Sequence, residues 1–224
     1  ILISNLMAIL LQHLCVKLGI ATGRDLAQAC RDHYSPPVVW FLWLMCELAI
    51  AACDLAEVVG SAIALQLLFG LPLVWGCLIT VLDVLLVLAL QHRGFRYLEA
   101  VVITLIITIG SCFTIELWIA RPDLGAVATG FVPHLGVLRD PEALYLAIGI
   151  LGATVMPHNL YLHSSLVGTR DLGQTVAERK QAIRFATYDS SMALIFAFFV
   201  NAGLLILSAT AFHKTGMAPV TDIR

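Results

Sequence analysis

Six continuous apolar stretches run through this chain, at roughly residues 1 to 18, 37 to 69, 71 to 91, 97 to 120, 143 to 168 and 185 to 212. They constrain the fold more than any other feature, because a hydrocarbon core about 30 Å thick is crossed by about 20 apolar residues in a helix. Membrane strands would be about ten residues long and would alternate apolar with polar side chains, and these runs do neither. In lipid a backbone must satisfy its own hydrogen bonds, which a helix achieves within one segment. The expectation is an all-α integral membrane protein of about six transmembrane helices, forming a single transmembrane domain over residues 1–224. Charge agrees: 12% of residues are charged, against roughly 25% in soluble domains, so no soluble catalytic domain fits. With 13 Lys+Arg against 15 Asp+Glu there is also no basic surface for nucleic acid.

The six cysteines, Cys15, Cys30, Cys46, Cys53, Cys77 and Cys112, have no short paired spacing and mostly lie in apolar runs. They read as packing residues rather than a disulfide framework or a zinc site. The chain opens on Ile1-Leu2-Ile3 in what already reads as the middle of a helix, without an initiator Met or a leader, so a piece of a longer protein is expected.

The connections orient the spans, since short cytoplasmic loops collect Lys and Arg. Lys17, Arg24, Arg31, Arg93, Arg96, Arg170, Arg179, Lys180 and Arg184 follow spans one, three and five, while the other side has Arg121, Arg139, Lys214 and Arg224. The loops after spans one, three and five are therefore expected in the cytoplasm. Trp40, Trp43, Trp75 and Trp118 fall near span ends, where amphipathic rings favour the interface. Thr22-Gly23-Arg24-Asp25 resembles a capping box opening a short connector helix before Pro36-Pro37. Ala120 to Glu142 reads as an external loop, and Gln174 to Arg184 as a basic cytoplasmic helix.

Ionisable residues inside membrane helices disfavour insertion by about 2.5 to 3.5 kcal/mol and therefore face a cavity, a partner or an ion path. In the second span Glu47, Asp54 and Glu57 share one stripe of a helix, an acidic line roughly 15 Å long. No basic residue in that span neutralises them. A proton route is the functional reading, and pairing with Arg from a neighbouring helix is the structural one. Glu99 beside Arg96 and Glu116 beside Trp118 read as structural, while Asp83 stays open.

The fifth span is polar at its centre, through Thr154, His158, Asn159, Tyr161 and His163, and Gly149 and Gly152 weaken the helix there. Pro157 has no N–H, so the Ala153 carbonyl four residues earlier loses its helical hydrogen bond, and an interrupted helix is expected at Ala153–Pro157. Mid-membrane breaks of this kind present carbonyls to cations. Met156 falls on the same side of that turn, and its thioether is a soft ligand suited to transition metals rather than Ca²⁺ or Mg²⁺. Core packing is its ordinary role. His158 and His163, five residues apart, point about 140° away from each other on an unbroken helix, which suits proton handling or gating better than joint grip of one ion. Asn201 in the sixth span is a mid-membrane amide fit for packing or for a hydrated ion path.

The stretch Gly152-Ala153-Thr154-Val155-Met156-Pro157-His158-Asn159-Leu160-Tyr161-Leu162-His163-Ser164 resembles the sixth-helix signature of the Nramp family of divalent-metal transporters. Residues 51–65, which hold Asp54 and Glu57, resemble that family's third helix, and the six spans correspond to its second through seventh. The resemblance implies part of a leucine-transporter-type inverted-repeat bundle: a proton-coupled importer of Mn²⁺ and Fe²⁺ working by alternating access, often accepting Co²⁺ or Cd²⁺, in the plasma membrane of a bacterium. It implies metal ligation by the Ala153 carbonyl and the Met156 sulfur, proton passage at Asp54 and Glu57 with Glu47 on their stripe, and coupling or gating at His158. Asn201 and Thr154 become possible neighbours of the metal. The metal is substrate, and no prosthetic group is implied. One departure is that the family's first-helix Asp-Pro-Gly-Asn motif is absent from these 224 residues, so further helices of the same transporter are expected as partners.

Two other readings compete. A membrane-embedded metalloenzyme would use His158 and His163, but no HExxH-like spacing supports it. The third is an inactive structural fragment, lacking the carboxylate that balances a divalent cation.

Overall fold

A computed structural model describes residues 1–91, 95–132, 136, 139–169 and 175–213, without the side chains of residues 83, 86, 87, 90, 91, 95, 96, 98 and 211–213. Arg93, Arg170, Lys214 and Arg224, which entered the orientation count, lie outside the described residues, as do the side chains of Asp83 and Arg96. The described residues form helices α1 (Leu2–Thr22), α2 (Leu26–His33), α3 (Pro36–Phe69), α4 (Leu73–Gln91), α5 (Phe95–Ala120), α6 (Leu124–Gly130), α7 (Pro141–Thr154), α8 (Pro157–Gly168) and α9 (Val176–His213). No strand occurs among them. Five stretches are long and apolar enough to cross a membrane: Leu2–Thr22, Pro36–Phe69, Glu99–Ala120, Pro141–Gly168 and Val176–Thr210. The chain is an all-α membrane protein.

The helix ends follow from local chemistry. Gly23 at φ 67° ends α1, its N–H bonding the Gly19 carbonyl. Gly adopts that left-handed conformation without strain. This stop displaces the expected capping box. Thr22 stays inside α1 with its hydroxyl on the Leu18 carbonyl, and the box forms at Asp25 and Gln28, where Asp25 accepts from the Gln28 N–H at 2.7 Å. Gly70, at φ 68°, separates α3 from α4. Asp123 and Asp140 cap α6 and α7 by accepting from the N–H groups of Gly125 and Glu142. The expected external loop from 120 to 142 thus contains a short helix, α6.

Another difference concerns Gln174 to Arg184. The basic stretch from Val176 is not a separate helix but the first turns of α9, opened by a capping box between Thr175 and Glu178. No Gly or Pro interrupts the chain between Val176 and Asn201, so nothing stops the helix where charge gives way to apolar residues. At 38 residues α9 is about 57 Å long and exceeds the hydrocarbon thickness.

The chain divides into two compact units, Ile1–Trp43 with Phe113–Arg224, and Leu44–Cys112. In the first, α1 is the central helix and packs on α7, α8, α9 and α2. Its core is formed by Val16 and Ile20 of α1, Val167 of α8 and Ala186 of α9. His13 and Thr187 join α1 to α9 by a side-chain hydrogen bond of 2.9 Å. In the second unit α3 and α4 meet closely where Gly76 faces the buried Ala62. Many large apolar side chains, among them Trp40, Trp43, Trp75 and Trp118, are exposed, as lipid-facing residues are.

Candidate metal site at a helix break

The break in the fifth span lies where proline chemistry puts it. The last backbone bond of α7 runs from the Val155 N–H to the Leu151 carbonyl at 2.9 Å, and the next backbone bond along the chain runs from the Asn159 N–H to the Met156 carbonyl at 3.1 Å. Among the described residues the carbonyls of Gly152, Ala153 and Thr154 therefore accept no backbone hydrogen bond. Three carbonyls pointing off the C-terminal end of α7, where the helix dipole is negative, favour a cation.

Met156 is the N-cap residue of α8, with φ −81° and ψ 117°, and Pro157 opens α8, a position at which its missing N–H costs α8 itself no hydrogen bond. Its thioether is not idle: the Asn159 side-chain amide donates to the sulfur at 3.3 Å. Ala153 is exposed, while Thr154, Met156 and His158 are half-buried. The Thr154 hydroxyl donates to the Ile150 carbonyl at 2.7 Å and lies 3.4 Å from Oγ of Ser4, a buried residue of α1. The break is thus tied to the central helix on the α7 side. On the α8 side the tie is Ser164, whose hydroxyl donates to the Tyr161 carbonyl at 2.7 Å and accepts the Leu26 N–H at 3.0 Å. The Ser164 carbonyl also touches Gly19 of α1. Both halves of the broken helix are held by α1, through Thr154 on one side and Ser164 on the other.

His158 stands in the first turn of α8 with its Nδ1 buried and without a hydrogen-bond partner among the described residues, and His163 is half-buried further along the same helix. Among the described residues no three His, Cys, Asp or Glu side chains come together to hold a metal. The possible donors that the sequence sets at the break are backbone oxygens and a thioether instead. Asn201 is exposed on α9.

Glu47, Asp54 and Glu57 all lie on α3 in the second unit, all exposed. The ion pair seen among the described residues joins Arg24 to Asp32 and involves none of them. Glu99 and Glu116 are exposed on α5. All six cysteines are free.

Ser4, Asn159 and Ser164 were not foreseen. Asn159 had a signal, since residues three apart on a helix are neighbours. Ser4 had none, because its partner is 150 positions away.

All of residues 1–224 match the family model described as Nramp, natural resistance-associated macrophage protein-like. A divalent metal cation transporter MntH of Nostoc sp. is 62% identical over 224 residues, covering 100% of this chain and 51% of the relative. MntH proteins of Agrobacterium fabrum and Listeria welshimeri are 58% and 57% identical, with 99% and 100% of this chain aligned to 48% and 50% of theirs. The chain spans about half the length of these relatives, which are named as transporters and not as enzymes.

Proposed function

Since the chain belongs to the Nramp family, we propose that it forms part of a secondary transporter importing divalent transition metals, Mn²⁺ and Fe²⁺, in symport with protons by alternating access. The observation that carries this reading is the break between α7 and α8, where the free carbonyls of Gly152, Ala153 and Thr154 lie next to the thioether of Met156 in sequence and at one helix interruption. A carbonyl oxygen and a soft sulfur together discriminate against Ca²⁺ and Mg²⁺, which take hard oxygen ligands only. Ala153 and Met156 are the ligands this chain supplies. The balancing carboxylate comes from helices outside these 224 residues, in keeping with the shorter length of the chain relative to its relatives.

Dehydrated metal binds between interrupted helices near the bilayer midplane and leaves as one group of helices rocks against the rest. His158, in the first turn beyond Met156, acts in gating, with His163 further along α8. Thr154 and Asn201 are neighbours of the metal. Protons pass along the Asp54 and Glu57 stripe of α3, with Glu47 at its start. The protein resides in a bacterial plasma membrane with the loops after α1, α4 and α8 in the cytoplasm, as the Lys and Arg distribution favours.

The test is uptake by vesicles carrying the full-length transporter. Mn²⁺ entry accompanied by acidification of the lumen supports the reading, whereas metal entry with no proton flux at any imposed gradient overturns the coupling.

A further inference from the structure

We propose that Asn159 is the positioning residue of the metal site: its amide holds the Met156 thioether in the orientation that presents sulfur to the ion. This rests on the reading of Met156 as a ligand. Two bonds run from Asn159 to Met156. The Asn159 N–H reaches the Met156 carbonyl at 3.1 Å, and its side-chain amide reaches the Met156 sulfur at 3.3 Å. One residue thereby fixes both the peptide and the side-chain tip of the other.

The need for such a clamp follows from methionine itself. Its unbranched side chain has three rotatable bonds, which makes it adaptable and poorly specifying. Met156 also stands at the N-cap of α8, outside the regular helix, with no capping hydrogen bond of its own to hold the side chain. A thioether sulfur has two lone pairs. An N–H donated to one fixes the direction of the other, and the remaining lone pair is what a soft cation uses. Loss of a group that orients a ligand in this way typically weakens metal affinity about 10–100-fold.

The bond is not explained by helix capping. Asn159 is the third residue of α8, where a side chain that caps would reach back to the backbone N–H of the N-cap residue. Here the amide goes to sulfur, and this is the bond made by its side chain among the described residues. A donor spent on so weak an acceptor as a thioether has a purpose beyond closing the first turn.

The experiment is a double-mutant cycle on the full-length transporter, reading dissociation constants for Cd²⁺, a soft probe, and Mn²⁺ by calorimetry. Asn159→Leu keeps the size and removes the donor. It is expected to weaken Cd²⁺ about tenfold, at the lower end of what loss of an orienting partner does, and Mn²⁺ less. In a Met156→Ala background the same substitution is expected to change neither. Asn159→Gln, which keeps an amide on a longer stem, is expected to retain part of the Cd²⁺ preference, and it carries the same comparison where the leucine variant does not fold. If Met156→Ala weakens Cd²⁺ while both Asn159 variants leave it unchanged, the positioning role is overturned and the ligand stands. A loss on Asn159→Leu that persists in full without Met156 overturns it equally. If Met156→Ala itself leaves the preference for Cd²⁺ intact, Met156 is no ligand and the clamp falls with it.

Discussion

A Cβ placed on Gly19 would stand 2.9 Å from the carbonyl oxygen of Ser164, so the backbones of α1 and α8 touch with no side chain between them. The obstacle is backbone rather than the end of a flexible side chain, and it cannot move aside without shifting α8. Gly19→Ala is therefore expected to destabilise the protein by about 1–3 kcal/mol through overpacking. Gly60 of α3 is the control, with nothing within 4 Å of its built Cβ, and Gly60→Ala is expected to be neutral or to stabilise by about 0.5–1 kcal/mol. Thermal unfolding of both variants in detergent gives the comparison, and equal effects would dismiss the close approach.

The same contact continues into the connector. Ser164 Oγ accepts the Leu26 N–H at the start of α2, and Ser164→Ala leaves that donor without its partner. The expected loss is about 1–2 kcal/mol. It should be local, seen as faster amide exchange at Leu26 and in α2 while the α1 core around Val16 and Ile20 keeps its protection.

Pro157→Ala restores an N–H opposite the Ala153 carbonyl. We expect the helix to close across the break, the protein to gain thermal stability, and metal uptake by the full-length transporter to fall at least tenfold because a ligand oxygen is now occupied. Uptake at the parental rate would mean that the Ala153 carbonyl is not required.

Met156→Ala removes the soft donor and leaves the carbonyls. Competition between Mn²⁺ and Ca²⁺ in vesicle uptake is the measure, and the expected change is loss of discrimination against Ca²⁺ with continued Mn²⁺ transport.

Asp54→Asn preserves the shape of the α3 stripe and removes one titrating group. Proton flux is expected to fall several-fold while the Mn²⁺ dissociation constant changes less than twofold. Parallel loss of both would assign Asp54 a structural role.

Some of this protein is written in short stretches of sequence. Long apolar runs demand helices because lipid offers the backbone no other partner, and Pro157 frees the Ala153 carbonyl because a missing N–H acts four residues away on the same helix. The break could be read from the chain for that reason. The helix ends were less legible. Gly23 had to stop α1 before Asp25 could cap α2, and the basic stretch before Arg184 joined α9 because nothing between them stops a helix.

What only the tertiary structure decided is how the broken helix is held. Ser4 beside Thr154 and Gly19 against Ser164 join residues about 150 positions apart, and neither member of either pair carries a sign of the other, since a small residue on an apolar helix suits many neighbours. Periodicity fixes which face a residue occupies, a local property of one helix. Which helix lies against that face depends on packing among segments distant in the chain, and it is this packing that places α1 against both halves of the break.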